Sequence, residues 1–182
     1  VLKIFVFNKE LLMNLLGRAY TFGWTDFERD FITKNISKLH VYGYEHKGYC
    51  AVINTVGDLY KASMEMLTPA LRKEVFESDT TILTRVKNSP PTLYGFESKV
   101  KNSLIADGCT IDGTVENCVI FRGVTIEKGA VLKDCVIMQN STIHAGAKLE
   151  CVITDKDVTV EAEHVMGGYP TYPFVISKGQ TV

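Results

Sequence analysis

Residues 102–165 repeat, and no other feature of the chain constrains its fold as strongly. Four openings align: Asn102-Ser-Leu-Ile105, Asn117-Cys-Val-Ile120, Asp134-Cys-Val-Ile137 and Glu150-Cys-Val-Ile153. Inside the copies an aliphatic residue returns after six positions, in the pairs Ile105/Ile111, Ile120/Ile126 and Ile137/Ile143. A helix would return its apolar positions after three and four, so a steady six argues for short strands. The pattern predicts a parallel β-helix with one coil per copy. Corners fall to residues that tolerate positive φ, among them Gly108, Gly123, Gly129, Asn140 and Gly146. Coils stacked about 4.8 Å apart pile like residues into ladders. This alignment puts Cys118, Cys135 and Cys151 in one ladder, and Ile120, Ile137 and Ile153 in another. Val119, Phe121, Val136 and Met138 flank the inward isoleucines and point out of the prism. An apolar set on adjacent coils is a candidate oligomer interface.

The front of the chain has a different rhythm. Lys3–Asn8 reads as a strand, and Leu11, Leu12, Leu15 and Leu16 form a helical stripe closing at Gly17. A strand and helix at the very first residues suggest the tail of a longer protein. Thr25 and Glu28 have capping-box spacing, with Phe27, Phe31 and Ile32 on the inner face of the helix they start. Leu39–Tyr44 and Gly48–Ile53 read as a strand pair, and Asp58–Leu67 as a helix, with a short helical piece at Leu71–Phe76. Between Glu77 and Val100 the periodicity stops, and Pro90-Pro91 favours extended backbone. The expected organisation is an α/β remnant over 1–76, a linker over 77–101 and the β-helix with a terminal cap over 102–182.

Charge and cysteine content narrow the function classes. A net charge of −1 gives no reason to expect nucleic acid or an anionic membrane surface as partner. No apolar run approaches the roughly 20 residues of a membrane span, and the opening residues lack the basic region of a signal peptide. Four of the five cysteines lie within the repeat and none forms a C-x-x-C pair. They read as buried reduced thiols of a cytoplasmic protein rather than metal ligands, since stacked coils spread ligands along a line.

The segments together resemble the back end of an ADP-glucose pyrophosphorylase (glucose-1-phosphate adenylyltransferase) subunit. The resemblance rests on Asp26-Phe-Glu-Arg-Asp30, the Tyr60-Lys-Ala62 helix, the Pro90-Pro91 linker, Lys101–Gly108, and Gly113–Asn117 followed by Val119–Gly123. It implies a left-handed winding, and a nucleotidyltransferase domain preceding the β-helix. Nothing here matches the glycine-rich loop that holds the nucleotide in that family. Catalytic members carry Trp-Arg-Asp-Val-Gly-Thr where this chain, aligned through Tyr49 and Thr55, has Cys50-Ala-Val-Ile-Asn-Thr55. The magnesium carboxylate is thus replaced by Val52 and the guanidinium by Ala51, unless a shifted alignment makes Asp58 the acid. Valine offers no oxygen to a hard cation.

What the resemblance implies is a non-catalytic, GlgD-type subunit in glycogen biosynthesis. Such a chain carries no cofactor of its own, with magnesium held by a catalytic adenylyltransferase partner in a hetero-oligomer. Asp26 would belong to an inherited sugar-phosphate pocket, although favourable charge at a helix N-terminus is the simpler reading. Arg122 and Lys128 could meet a small anionic effector, against a default of solvated charge. The rival from another class is a hexapeptide acyltransferase using acetyl-CoA with His144 as base. A further rival is a subunit handling another sugar nucleotide, such as a mannose or UDP sugar.

Overall fold

The computed structural model describes residues 2–77, 82–84 and 86–182. The chain divides into two compact units, Val1–Gly48 and Tyr49–Val182.

In the first unit, Asn8 accepts a hydrogen bond from the Glu10 amide and starts helix α1, Lys9–Phe22. The helix passes through Gly17 and stops at Gly23, which takes the left-handed conformation at φ 63°. An interior glycine costs a helix only about 1 kcal/mol, whereas a stop requires a residue that adopts positive φ. A π-helical turn, Phe27–Ile32, and a 3-10 turn, Thr33–Asn35, follow. The cap of this turn is Asp26, whose Oδ1 accepts from the Arg29 amide at 2.7 Å, rather than the expected Thr25. Asp30 then accepts from the amides of Thr25 and Asp26. Two carboxylates satisfy the orphan amides more strongly than a hydroxyl would. Phe27 stacks on Phe31 at 4.7 Å between ring centroids, and Phe5, Phe7 and Trp24 gather round them.

Lys3–Asn8, Leu39–Tyr44 and Gly48–Ile53 do not form the expected strands; among the described residues, every named strand lies beyond residue 92. Alternation supplies a strand's faces, but a ladder also needs a neighbouring edge to receive its N–H and C=O groups.

The second unit opens with α2, Val56–Glu65, and α3, Pro69–Phe76. From Leu93 onward the chain is a parallel β-solenoid of three sheets with five strands each. Its first strands, Leu93–Tyr94 and Lys99–Lys101, come from the end of the stretch expected to be linker. The core is a column of fully buried aliphatics that includes Ile111, Val115, Ile126, Leu132 and Ile143. Gly113 shows how tightly the coils stack, because a Cβ there would lie 2.5 Å from the Ala130 carbonyl oxygen.

The fourth copy sits one residue away from the expected register. Ile153 pairs with Val136 and Thr154 with Ile137, so Thr154 continues the inward isoleucine ladder while Ile153 faces out. Cys151 leaves the thiol ladder and takes the left-handed corner, at φ 53°, after Asn102, Asn117 and Asp134. Corner geometry sets the register here. Those corners recur after 15, 17 and 17 residues, whereas the Cys-Val-Ile match would require 16 at the last step.

Candidate functional site

The three faces of the prism differ in chemistry. On one, Thr110, Thr125, Thr142 and Thr159 stack in register. On the second, lysine and glutamate alternate from coil to coil, with Lys101 2.7 Å from Glu116 and Lys133 3.1 Å from Glu150. The third carries Val119, Phe121, Val136 and Met138 outward, and α2 covers it with Tyr60 and Met64. Val136 is fully buried and Ile153 nearly so. The set expected to meet another subunit thus packs in part against a helix of its own chain, with Val119, Phe121 and Met138 left half-buried. An outward apolar stripe on a solenoid calls for a cover, and a helix of the same chain reaches it without the entropy of association.

Tyr60 fixes the helix to the coils. It is 5% exposed, and its hydroxyl donates to the Asp134 carbonyl oxygen at 2.7 Å. Burial, and next the adjoining Cys151 thiol, push its phenol well above the usual range, so the hydroxyl stays a donor at ordinary pH. Beside this contact runs an open groove of about 640 Å³, where Tyr60, Met64, Leu67, Thr68 and Pro69 face Asn102, Asn117, Asp134 and Pro170. The corner residues were visible in the sequence as the first residues of the repeats. What the sequence did not show is that Tyr60 lies over them, because that contact joins residues 74 positions apart.

The start of α2 is closed chemically. Thr55 accepts from the Asp58 amide, and the Asp58 carboxylate accepts from the amides of Asn54 and Thr55. Those bonds, the Thr55 contact foremost, hold the Asp58 carboxyl below its usual range. The expected early-turn place of Asp58 is what the structure shows. Val52, 50% exposed, lies just before this cap. Magnesium demands oxygen ligands, Val52 has none, and the Asp58 carboxylate faces backbone amides, so the donors of this stretch do not fit that ion. Among the described residues no three His, Cys, Asp or Glu side chains converge to hold a metal.

The other expected site residues are scattered. Asp26 caps its turn and lines a groove of about 480 Å³ in the first unit with Lys3, Phe5, Phe7, Leu12, Phe27 and Glu28. Its neighbour Asp30, 2% exposed, is paired with Arg29 at 3.0 Å and Lys34 at 2.8 Å. Lys128 pairs with Glu97 at 3.0 Å, while Arg122 is half-buried at a different corner of the same coil and makes no ion pair among the described residues. The structure does not join the two into one anion site. The outward His144 holds its Nδ1 3.1 Å from Glu127 Oε1, and Glu127 Oε2 accepts from the Ala145 amide.

Residues 93–172 match the family described as GlmU-like, C-terminal hexapeptide. The chain is 46% identical to the glycogen biosynthesis protein GlgD of Bacillus subtilis over 98% of its own length and 52% of that protein's. It is 40% identical to the GlgD protein of Geobacillus stearothermophilus, over 49% of this chain and 33% of that one. With a glucose-1-phosphate adenylyltransferase from Geobacillus stearothermophilus the identity is 35%, over 71% of this chain and 34% of that enzyme. The chain thus spans about half the length of the Bacillus subtilis protein, and less of the others is matched. No described helix is long and apolar enough to cross a membrane.

Proposed function

We propose that this chain, which belongs to the GlgD-type relatives of glucose-1-phosphate adenylyltransferase, serves cytoplasmic glycogen biosynthesis as the back part of a non-catalytic subunit. The subunit assembles with a catalytic adenylyltransferase and alters its rate or its response to a small anionic effector. The reaction of the assembly is the conversion of ATP and glucose 1-phosphate to ADP-glucose and pyrophosphate. What supports this role is the start of α2. Val52 stands where the resemblance places a metal carboxylate, and the nearest acid, Asp58, is engaged in a capping box. Transfer at a phosphoryl centre relies on metal and cationic groups, and losing one such group commonly costs about 10³-fold or more in rate. The helix works instead as a strut, with Tyr60 on the solenoid and Thr55–Asp58 closing its free end.

The test is ADP-glucose synthesis by the full-length parent protein alone, by a catalytic adenylyltransferase alone, and by the two together. The expected outcome is no turnover by the parent and a changed rate or effector response in the mixture. Turnover by the parent alone would overturn the proposal.

A further inference from the structure

We propose that the groove between α2–α3 and the solenoid corner binds a neutral oligosaccharide, an α-glucan segment if the glycogen reading above holds. The polar side of the groove is the ladder Asn102, Asn117 and Asp134. Asn102 gives one amide hydrogen to Asn117 Oδ1 at 2.8 Å. This leaves the Asn102 oxygen, the Asn117 amino group and the Asp134 carboxylate without hydrogen-bond partners among the described residues. Carboxamides and carboxylates match vicinal hydroxyls, since each offers a donor or acceptor pair in one plane. Successive rungs lie about 4.8 Å apart, close to the length of one hexose unit, so a chain of sugars can meet one rung per unit.

The helical wall is apolar, with Met64 and Leu67 to take the C–H faces of the rings, and Pro170 adds an apolar surface from the solenoid side. Pro170 sits in a tight turn closed by reciprocal hydrogen bonds between Tyr169 and Tyr172. These tyrosines are 74% and 81% exposed, and their rings are free to meet a ligand that extends past Pro170. The charge of the lining selects against phosphorylated sugars, because it includes Asp134 and no lysine or arginine. The ligand is thereby distinct from an anionic effector.

The test is affinity electrophoresis of the full-length protein in gels with and without glycogen, with maltoheptaose and glucose 1-phosphate as competitors. The comparison variant is N102G/N117G/D134G. Glycine keeps the left-handed corners while removing the polar groups, so thermal melting reports folding independently of binding. The expected result is retardation of the wild type that maltoheptaose relieves and glucose 1-phosphate does not, with affinity at least tenfold weaker in a normally melting variant. Absence of retardation, retention of affinity in the variant, or relief by glucose 1-phosphate at lower concentration than maltoheptaose would each overturn the proposal. The ADP-glucose assay reads the subunit role separately. A protein that modulates its catalytic partner but ignores glycogen would remove this inference alone.

Discussion

Tyr60 joins packing and hydrogen bonding in one side chain. Its ring covers Val136 and Ile153, while its hydroxyl satisfies the Asp134 carbonyl at a corner where the backbone has left the sheet. Changing Tyr60→Phe leaves that oxygen without its donor and is expected to cost about 1 kcal/mol. Changing Tyr60→Ala also opens a cavity, at about 3 kcal/mol or more. Hydrogen exchange of the amides in 56–65 measures this directly, and unchanged protection in the phenylalanine variant would show that the hydroxyl contributes nothing. The tyrosine was legible as part of a helix but not as an anchor, because its partner lies 74 residues away and nothing local encodes the meeting. Cys151 teaches a related lesson. Its neighbours match the other Cys-Val-Ile openings, yet the corner claims it, and its thiol faces the Tyr60 hydroxyl instead of Cys135.

Helix α2 shows how an element can be read correctly while its role is not. Its apolar positions and Asp58 gave its place within two residues, since capping chemistry and periodicity are local. Which surface it covers depends on the outward stripe of a distant solenoid. Replacing Thr55→Ala removes the acceptor for the Asp58 amide and is expected to destabilise the helix by about 1 kcal/mol. Exchange should accelerate at the first turn of α2 while the solenoid amides keep their protection. Equal acceleration throughout the unit would mean that helix and coils open together. The front segments failed as strands for the complementary reason. Lys3–Asn8 and Leu39–Tyr44 are rich in β-branched and aromatic residues, but a strand exists only where another edge completes its hydrogen bonds.

Across the whole molecule, charge is distributed unevenly between the units. Among the described residues, the buried polar or charged ones of the solenoid unit are Ser141 and Thr154, neither of which titrates, whereas the first unit buries the carboxylate of Asp30. Hydrogen bonds from Arg29, then Lys34, then the backbone hold that carboxyl far below its usual range. A depressed carboxyl contributes stability above its unfolded value of about 3.9, and the contribution fades as pH falls below that value. Acidification from about pH 5 downward should therefore weaken the first unit, reported by the fluorescence of Trp24, the sole tryptophan. The strand signal of the solenoid in circular dichroism should persist to lower pH. Asp30→Asn should flatten the acid dependence of the Trp24 signal, and an unaltered acid transition in that variant would assign it to another group.

The sequence by itself determined the solenoid, the inward column of its first three copies and the place of α2 to within two residues. Six-residue beats, positive-φ corners and helical periodicity act on neighbours a few bonds away, and the stacking of coils repeats one local choice several times. Only the tertiary structure decided that the outward Val119–Met138 stripe is covered in part from within the chain, that Cys151 turns a corner, and that Tyr60 overhangs the Asn102–Asn117–Asp134 ladder. Those outcomes depend on which distant surfaces meet, and burial of apolar area is non-directional: it demands a cover without naming one.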